Sequence, residues 1–393
     1  MLTSLALIFL CGMLLGSIFQ KLRIPGLVGM LLGGILLGPQ VLNLLDPALL
    51  SISLDLRELA LIIILARAGL SLELGDLRAI GRPAVLMSFV PACFEMLGTI
   101  LIAPRLLGIS TMEAAVLAAV VASASPAVIV PRMLKLMETG YGTDKSIPQL
   151  ILTGDSVDDV FNIVVFSSLL GLAGGENISA LRFAVIPVSI LAGIAVGVAA
   201  GFILAAFFKR TGLRDSAKVL VLLSAAFLLV ALEDVVAAVF PFSGLIAVMA
   251  AGVTILQRER DIAKRVSAKL SKLWVGAEIL LFALVGASMG FGHIAAIGLP
   301  TIALLVLVLC IRAIGILLCL LKTKLTWKER LFCTFTGIPK ATVQAAIGGI
   351  PLALGLPGGA LILNIAVLTI LFTAPLGALL IDATYKKLLT KSA

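Results

Sequence analysis

Three carboxylates fall within five residues of one apolar stretch, PQLILTGDSVDDVFNIVVF, which carries Asp155, Asp158 and Asp159. Asp155 and Asp159 are four apart and share a helical face, while Asp158 stands about 100° round from Asp159. Adjacent carboxylates in a low-dielectric setting repel each other and cannot both stay charged without cost. Such a pair can hold a proton, or release it and take a small hard cation on its oxygens. A site that binds either H+ or a metal ion, but not both at once, is the minimal chemistry of exchange. Asp155, nearer one end of the stretch, reads equally well as a polar lining or packing residue.

Three further charges sit in apolar surroundings: Glu95 in VPACFEMLGT, Arg312 in LVLCIRAIGIL and Lys340 in TGIPKATVQ. A charge at the bilayer centre costs at least about 2.5–3.5 kcal/mol on insertion scales, so each calls for a partner or a function. Glu95 and Arg312 are expected to form a structural ion pair that leaves both aspartates free. The alternative is that Arg312 pairs with Asp158 in one state and releases it when an ion binds. Lys340, beside a proline, is expected to balance the negative end of a half-helix rather than to titrate. Ser125, Thr342 and Gln344 offer oxygens to a dehydrated ion, though many other residues would do the same. His293 and Glu278, placed near segment ends, read as satisfied surface or interface groups.

These residues need elements to hold them, and composition says which kind. Of 393 residues, 61% are hydrophobic and 13% charged, with a mean hydropathy of +1.21; soluble chains average about a quarter charged. Apolar runs of about 20 residues, the length a helix needs to cross a bilayer, recur from end to end. The alternating segments of a spanning barrel do not. The expected class is therefore an all-α polytopic membrane protein of thirteen spans. They are placed at 2–20, 25–44, 56–74, 82–104, 112–136, 148–172, 182–208, 217–233, 235–256, 274–292, 295–321, 329–354 and 359–381. Between spans 9 and 10, QRERDIAKRVSAKLSKL (257–273) has Ile262, Val266, Leu270 and Leu273 on one face and reads as an amphipathic helix on the membrane surface.

The formal charge of +9 would suit a nucleic-acid partner, but no soluble basic domain is present to hold one. With the N-terminus outside and the C-terminus inside, only Arg57, Arg105 and Arg182 face out, and Arg67, Arg312 and Lys340 lie within spans. The rest of the thirty Lys and Arg then fall on the cytoplasmic side, as orientation requires. The five cysteines lie in apolar segments without CxxC spacing and read as small buried thiols, with no resident metal or other cofactor implied. The first segment lacks a basic n-region and a cleavage site, and reads as a retained helix.

Thirteen spans divide as a six-plus-six inverted repeat with span 7 as connector, which matches span 5 with 12, 4 with 11, and 6 with 13. Span 5 contains SASPAVIVP, interrupted at Pro126 and Pro131. Span 12 contains TGIPKATVQAAIGGIP, interrupted at Gly337, Pro339, Gly348, Gly349 and Pro351. Interrupted spans at matching positions in two halves mark a transporter's binding site, because unwound backbone is tolerated only where protein or a watery cavity satisfies it. The plainer explanation is that these prolines merely kink their helices.

SVDDVFNIVVF, ASASPAVIVPRML, GIPKATVQAAIGGIPLAL and the position of Arg312 together resemble the cation/proton antiporter superfamily, and within it the NHA subfamily of sodium/proton antiporters. The resemblance covers essentially the whole chain and implies Na+ or Li+ exchange for H+ in a bacterial-type inner membrane, serving pH homeostasis and salt tolerance. By it the acidic pair is Asp158 and Asp159, with Asp159 the main cation carboxylate, and the buried pair is Glu95 with Arg312. Arginine at 312, where many electrogenic relatives carry lysine, points to electroneutral exchange; the acidic pair is the one associated with electrogenic transport. The resemblance further implies a homodimer among membrane lipids, working as an elevator. Residues 1–79 and 215–293 would form its scaffold, 80–175 and 294–393 its moving core, and 176–214 the link. Competing classes are a K+/H+ antiporter, a channel or sodium-coupled organic-solute symporter, and an intramembrane aspartyl protease. The protease would place its aspartates on separate helices, and a bulky solute would want more aromatic groups near the breaks.

Overall fold

The computed structural model describes residues 1–72, 81–173, 180–236, 240–290 and 294–392, and among them the regular structure is helical, with a single antiparallel bridge between Tyr141 and Lys391. The first helices are α1 Leu2–Lys21, α2 Gly26–Leu37, α3 Pro47–Ser51, α4 Ser53–Gly69, α5 Arg82–Met87 and α6 Val90–Leu107. Then come α7 Thr111–Val121, α8 Pro126–Thr139, α9 Ile147–Ala173, α10 Ala180–Arg210, α11 Asp215–Val236 and α12 Gly244–Arg258. The chain closes with α13 Arg260–Ala287, α14 Ile294–Cys319, α15 Trp327–Thr336, α16 Thr342–Ile347, α17 Ile350–Ala353 and α18 Gly359–Leu388. Eight helical segments among the described residues are long and apolar enough to cross a bilayer.

Local chemistry sets the ends. Ser110 and Glu113 form a capping box that opens α7, and Thr326 and Glu329 form another that opens α15. Helix α7 stops at Val121, and α8 restarts at Pro126, whose missing N–H suits a first-turn position. Ser125 before it is extended, as a residue preceding proline prefers.

Several expected boundaries move. Pro131 lies inside α8 and does not break it. The stretch 257–273 is not a separate surface helix: from Arg260 it runs unbroken into α13, with Val266 and Leu270 buried. Glu278 consequently sits well inside a helix, not near an end. Span 9 starts later than expected, because Ser243 takes the Ile246 N–H and caps α12 there. Span 4 is split into α5 and α6, with Pro91 opening the second piece. His293 and Arg78 lie outside the described residues.

The helices sort into two compact units. The first comprises Met1–Leu54, Asp76–Gly174 and Ile279–Ala393. At its centre lies α7, whose small side chains Ala114–Val121 are all buried. Met87, Ile129, Met133, Ile151, Ile316, Phe332 and Ile381 join helices α5, α8, α9, α14, α15 and α18 in one apolar cluster. The chain end closes over the α8–α9 turn: Gly142 N–H donates to Thr390 O and Ser392 N–H to Gly140 O, both at 2.8 Å. The second unit comprises Asp55–Gly75 and Gly175–Glu278. There Gly193, Gly197 and Gly201, spaced every four residues on α10, lie directly against α12 backbone at Ser243, Ala247 and Ala251, a small-residue stripe of the kind that joins helices in lipid.

Candidate functional site

Everything below lies in the first unit. Helices α6 and α14 pack closely because Gly98 faces Ile311 and Gly315 faces Pro91 and Phe94. Glu95 is three residues before Gly98, and Arg312 three before Gly315, so both charges point along the same close seam. Glu95 has no exposed surface and Arg312 is 2% exposed.

The seam meets the end of α7. A helix leaves its last carbonyls without partners, and they carry the negative end of its dipole. Ala122 O accepts from Arg312 Nη1 and, at 3.0 Å, from Lys340 Nζ. Gln344 Nε2 donates to Val120 O at 3.1 Å and to Ser123 O at 3.0 Å. Two cations and an amide, all from distant sequence, thus finish one half-helix. Lys340, from the other interruption, reaches the end of α7 rather than a half-helix of its own span.

The same cations bind carboxylates. Glu95 Oε2 accepts from Lys340 Nζ at 2.6 Å and from Arg312 Nη1 at 3.0 Å. The other arm of the guanidinium, Nη2, donates to Asp158 Oδ2 at 2.9 Å. The expected Glu95 pair therefore exists as geometry, but Asp158 is not left free by it, since a planar fork with separate donors can hold two carboxylates at once. Asp158 Oδ2 also accepts from Ala124 N–H at 3.1 Å, and Asn162 Nδ2 donates to Asp158 Oδ1 at 3.3 Å. Arg312, Lys340, Glu95 and Asp158 form a buried cluster of two positive and two negative groups.

Asp155 and Asp159 stand outside that cluster. Asp159 is 8% exposed, and its described side-chain bond comes from the Ser123 hydroxyl. Asp155 is 6% exposed, and its Oδ2 is buried without a partner.

The two interruptions meet. Ser125 N–H donates to Pro339 O at 2.9 Å, and the hydroxyls of Ser125 and Thr342 lie 3.0 Å apart. Their unwound backbone is thus satisfied by protein, as membrane depth demands. Lys340 N–H is held by Thr373 Oγ1 at 3.0 Å.

The family model described as "Sodium/hydrogen exchanger, transmembrane" matches residues 5–387. The chain belongs to this family. Among its relatives, Sodium/hydrogen exchanger 9B2 of Mus musculus is 32% identical over 412 residues, spanning 99% of this chain and 74% of that protein. Sodium/hydrogen exchanger 9B1 of Homo sapiens is 30% identical over 412 residues, spanning 99% and 78%. In fold the chain is similar to the sodium proton antiporter MjNhaP1 from Methanocaldococcus jannaschii, with a TM-score of 0.85, 20% identity and 98% of each chain covered. As a member of this family the chain is an integral membrane transporter and not an enzyme.

Sequence reasoning brought Glu95, Arg312, Lys340, Ser125, Thr342 and Gln344 forward, and this exchanger-family fold gathers them around the two interruptions. It missed Ser123, Asn162 and the Ala122 carbonyl. Asn162 carried a signal, being four residues from Asp158 on one helical face. Ser123 carried a weaker one, in the ASASP run before the interruption. A backbone carbonyl carries none.

Proposed function

We propose that this chain exchanges Na+ or Li+ for H+ across the membrane by alternating access, the cation and the proton competing for the acidic pair Asp158 and Asp159. The observation that carries this reading is the position of Asp159. It is a nearly buried carboxylate beside the interrupted helix, lightly bonded, while the neighbouring charges balance one another. Asp159 is the main cation carboxylate, and Asp158 is exchanged between Arg312 and the site during the cycle. Glu95 with Arg312 is the structural pair, and Lys340 is the charge of the broken helix. Ser125 and Thr342 supply oxygens once their mutual contact opens, and Gln344 supplies its Oε1.

Thirteen spans with N-out and C-in, arranged as a six-plus-six inverted repeat around the connector 176–214, suit the charge partition and the paired interruptions. The functional division puts 1–79 and 215–293 in a homodimer scaffold and 80–175 and 294–393 in an elevator core. This division follows the transport cycle and is distinct from the two contact units. In a bacterial-type inner membrane, such exchange would serve pH homeostasis and salt tolerance. Purified protein in liposomes carrying a pH gradient should dequench an internal pH dye when Na+ or Li+ is added, and Asp159→Asn should abolish the signal. Normal exchange by Asp159→Asn would remove the site; no response to any alkali cation would remove the exchange reading.

A further inference from the structure

Three carboxylates line α9, but they are not equivalent. Asp158 is spoken for by Arg312 Nη2, the Ala124 N–H and the Asn162 amide. Its charge is cancelled within the four-group cluster. That leaves Asp155 and Asp159, which lie four residues apart on a single helical face.

Asp155 is the odd group of the three. It is nine-tenths buried, its side chain enters no hydrogen bond or ion pair among the described residues, and its Oδ2 is sealed from the surface. A buried polar atom with no partner is a net cost to the fold, and native structures keep few of them without a use. A second unpartnered oxygen belongs to the same neighbourhood. Gln344 Oε1 is buried and unbonded, on the amide whose nitrogen is fixed to Ser123 O. Ser123 in turn holds Asp159.

We propose that the transported alkali cation is held between the carboxylates of Asp155 and Asp159, one helical turn apart, while Arg312 withholds Asp158. This rests on the exchange reading above and adds Asp155 to its acidic pair, for the part of the cycle in which Arg312 holds Asp158. Side chains four apart on a helix have Cβ atoms about 5–6 Å from one another. A hard cation of calcium's size, which sodium shares, takes its oxygens at about 2.3–2.6 Å, so two carboxylates at that spacing can chelate it together. Asp155 thereby sets the affinity for the cation and the choice among Na+, Li+ and K+.

The test uses the full-length protein, at one pH, with Asp155→Asn, Asp155→Ala and Asp159→Asn. Two readouts are taken: the melting temperature in detergent with and without NaCl or LiCl against choline chloride, and the apparent KM of exchange in liposomes. Loss of a charged ligand should raise the KM of Asp155→Asn about tenfold or more for both cations, alter the Na+ to Li+ ratio, and abolish cation-dependent stabilisation. Its melting temperature in choline should equal or exceed the wild-type value, because the lost carboxyl made no bond. Wild-type KM and cation stabilisation in Asp155→Asn, beside an inactive Asp159→Asn, would overturn the inference and leave the exchange reading standing. An Asp155→Asn protein that cannot be purified folded would also overturn it, since replacing a carboxyl that makes no bond by an isosteric amide leaves the fold nothing to lose. Silence of the wild type towards every alkali cation would bring down the exchange reading itself.

Discussion

Glu95→Gln removes one of four charges that cancel at the end of α7. In the intact protein Glu95 Oε2 takes bonds from Lys340 at 2.6 Å and Arg312 at 3.0 Å, with no exposed surface. The amide oxygen can accept one of those bonds but carries no charge, so two cations then face Asp158 alone. Stripping one partner from a buried ion pair costs about 3–5 kcal/mol, because the other is left buried and uncompensated. Lys340→Gln errs in the opposite sense, leaving one cation against two carboxylates, and should cost a similar amount. The double variant restores balance with one cation and one carboxylate. It should therefore be less destabilised than the sum of the singles by about 2 kcal/mol, inside the 0.5–3 kcal/mol range seen for residues of one network. Unfolding in mixed micelles of increasing SDS content gives the four stabilities needed for the cycle. Additivity within about 0.5 kcal/mol, or a Glu95→Gln protein as stable as the wild type, would refute the idea of one closed cluster.

Other outcomes follow from single contacts. Ser123→Ala removes the hydroxyl that donates to Asp159; a hydrogen bond to a charged group contributes about 1.5–3 kcal/mol, so the apparent KM for Na+ should rise about tenfold or more, as read by dye dequenching. At Gly377 an added methyl would lie 2.5 Å from Pro339 Cγ and 2.8 Å from its nitrogen. Gly377→Ala should accordingly lower stability by about 1–3 kcal/mol and slow exchange, because Pro339 O holds Ser125. Deleting 390–393 removes the two 2.8 Å bonds that close the chain end over Gly140 and Gly142. At about 0.5–1.5 kcal/mol per bond, the loss should expose the 140–146 turn to limited proteolysis well before the rest of the chain.

The interruptions were legible because their cause is local. Proline has no N–H to give, and it biases its predecessor away from helix, so Pro126 marks a restart wherever it stands. Pro131 shows the limit of that logic: as the sixth residue of α8 it gives up the N–H that would reach Ala127 O, and the helix runs through it all the same. Buried charges were legible for a similar reason: lipid makes each one an exception. Their partners were not, because pairing is a property of distance in space. Glu95 and Arg312 were matched through the repeat argument, whereas the second arm of Arg312 toward Asp158 needed the geometry of the α7 end. Likewise the amphipathic pattern of 257–273 fitted a surface helix and an extension of α13 equally, and only what buries Val266 and Leu270 separates the two.

The charge cluster at the end of α7 also has a history in every molecule made. Arg312 follows Glu95 by 217 residues, and Lys340 follows it by 245. A chain threaded into the bilayer from its N-terminus thus presents Glu95 and Asp158 at span depth long before either cation has been synthesised. Each spends that interval at an insertion cost of about 2.5–3.5 kcal/mol, met by water or by the insertion machinery and not by its final partner. The half-helix α7 likewise waits with open carbonyls until Arg312, Lys340 and Gln344 arrive. Assembly of the first unit is therefore completed by its last third, and a chain released before residue 340 would hold its carboxylates without the groups that make them tolerable.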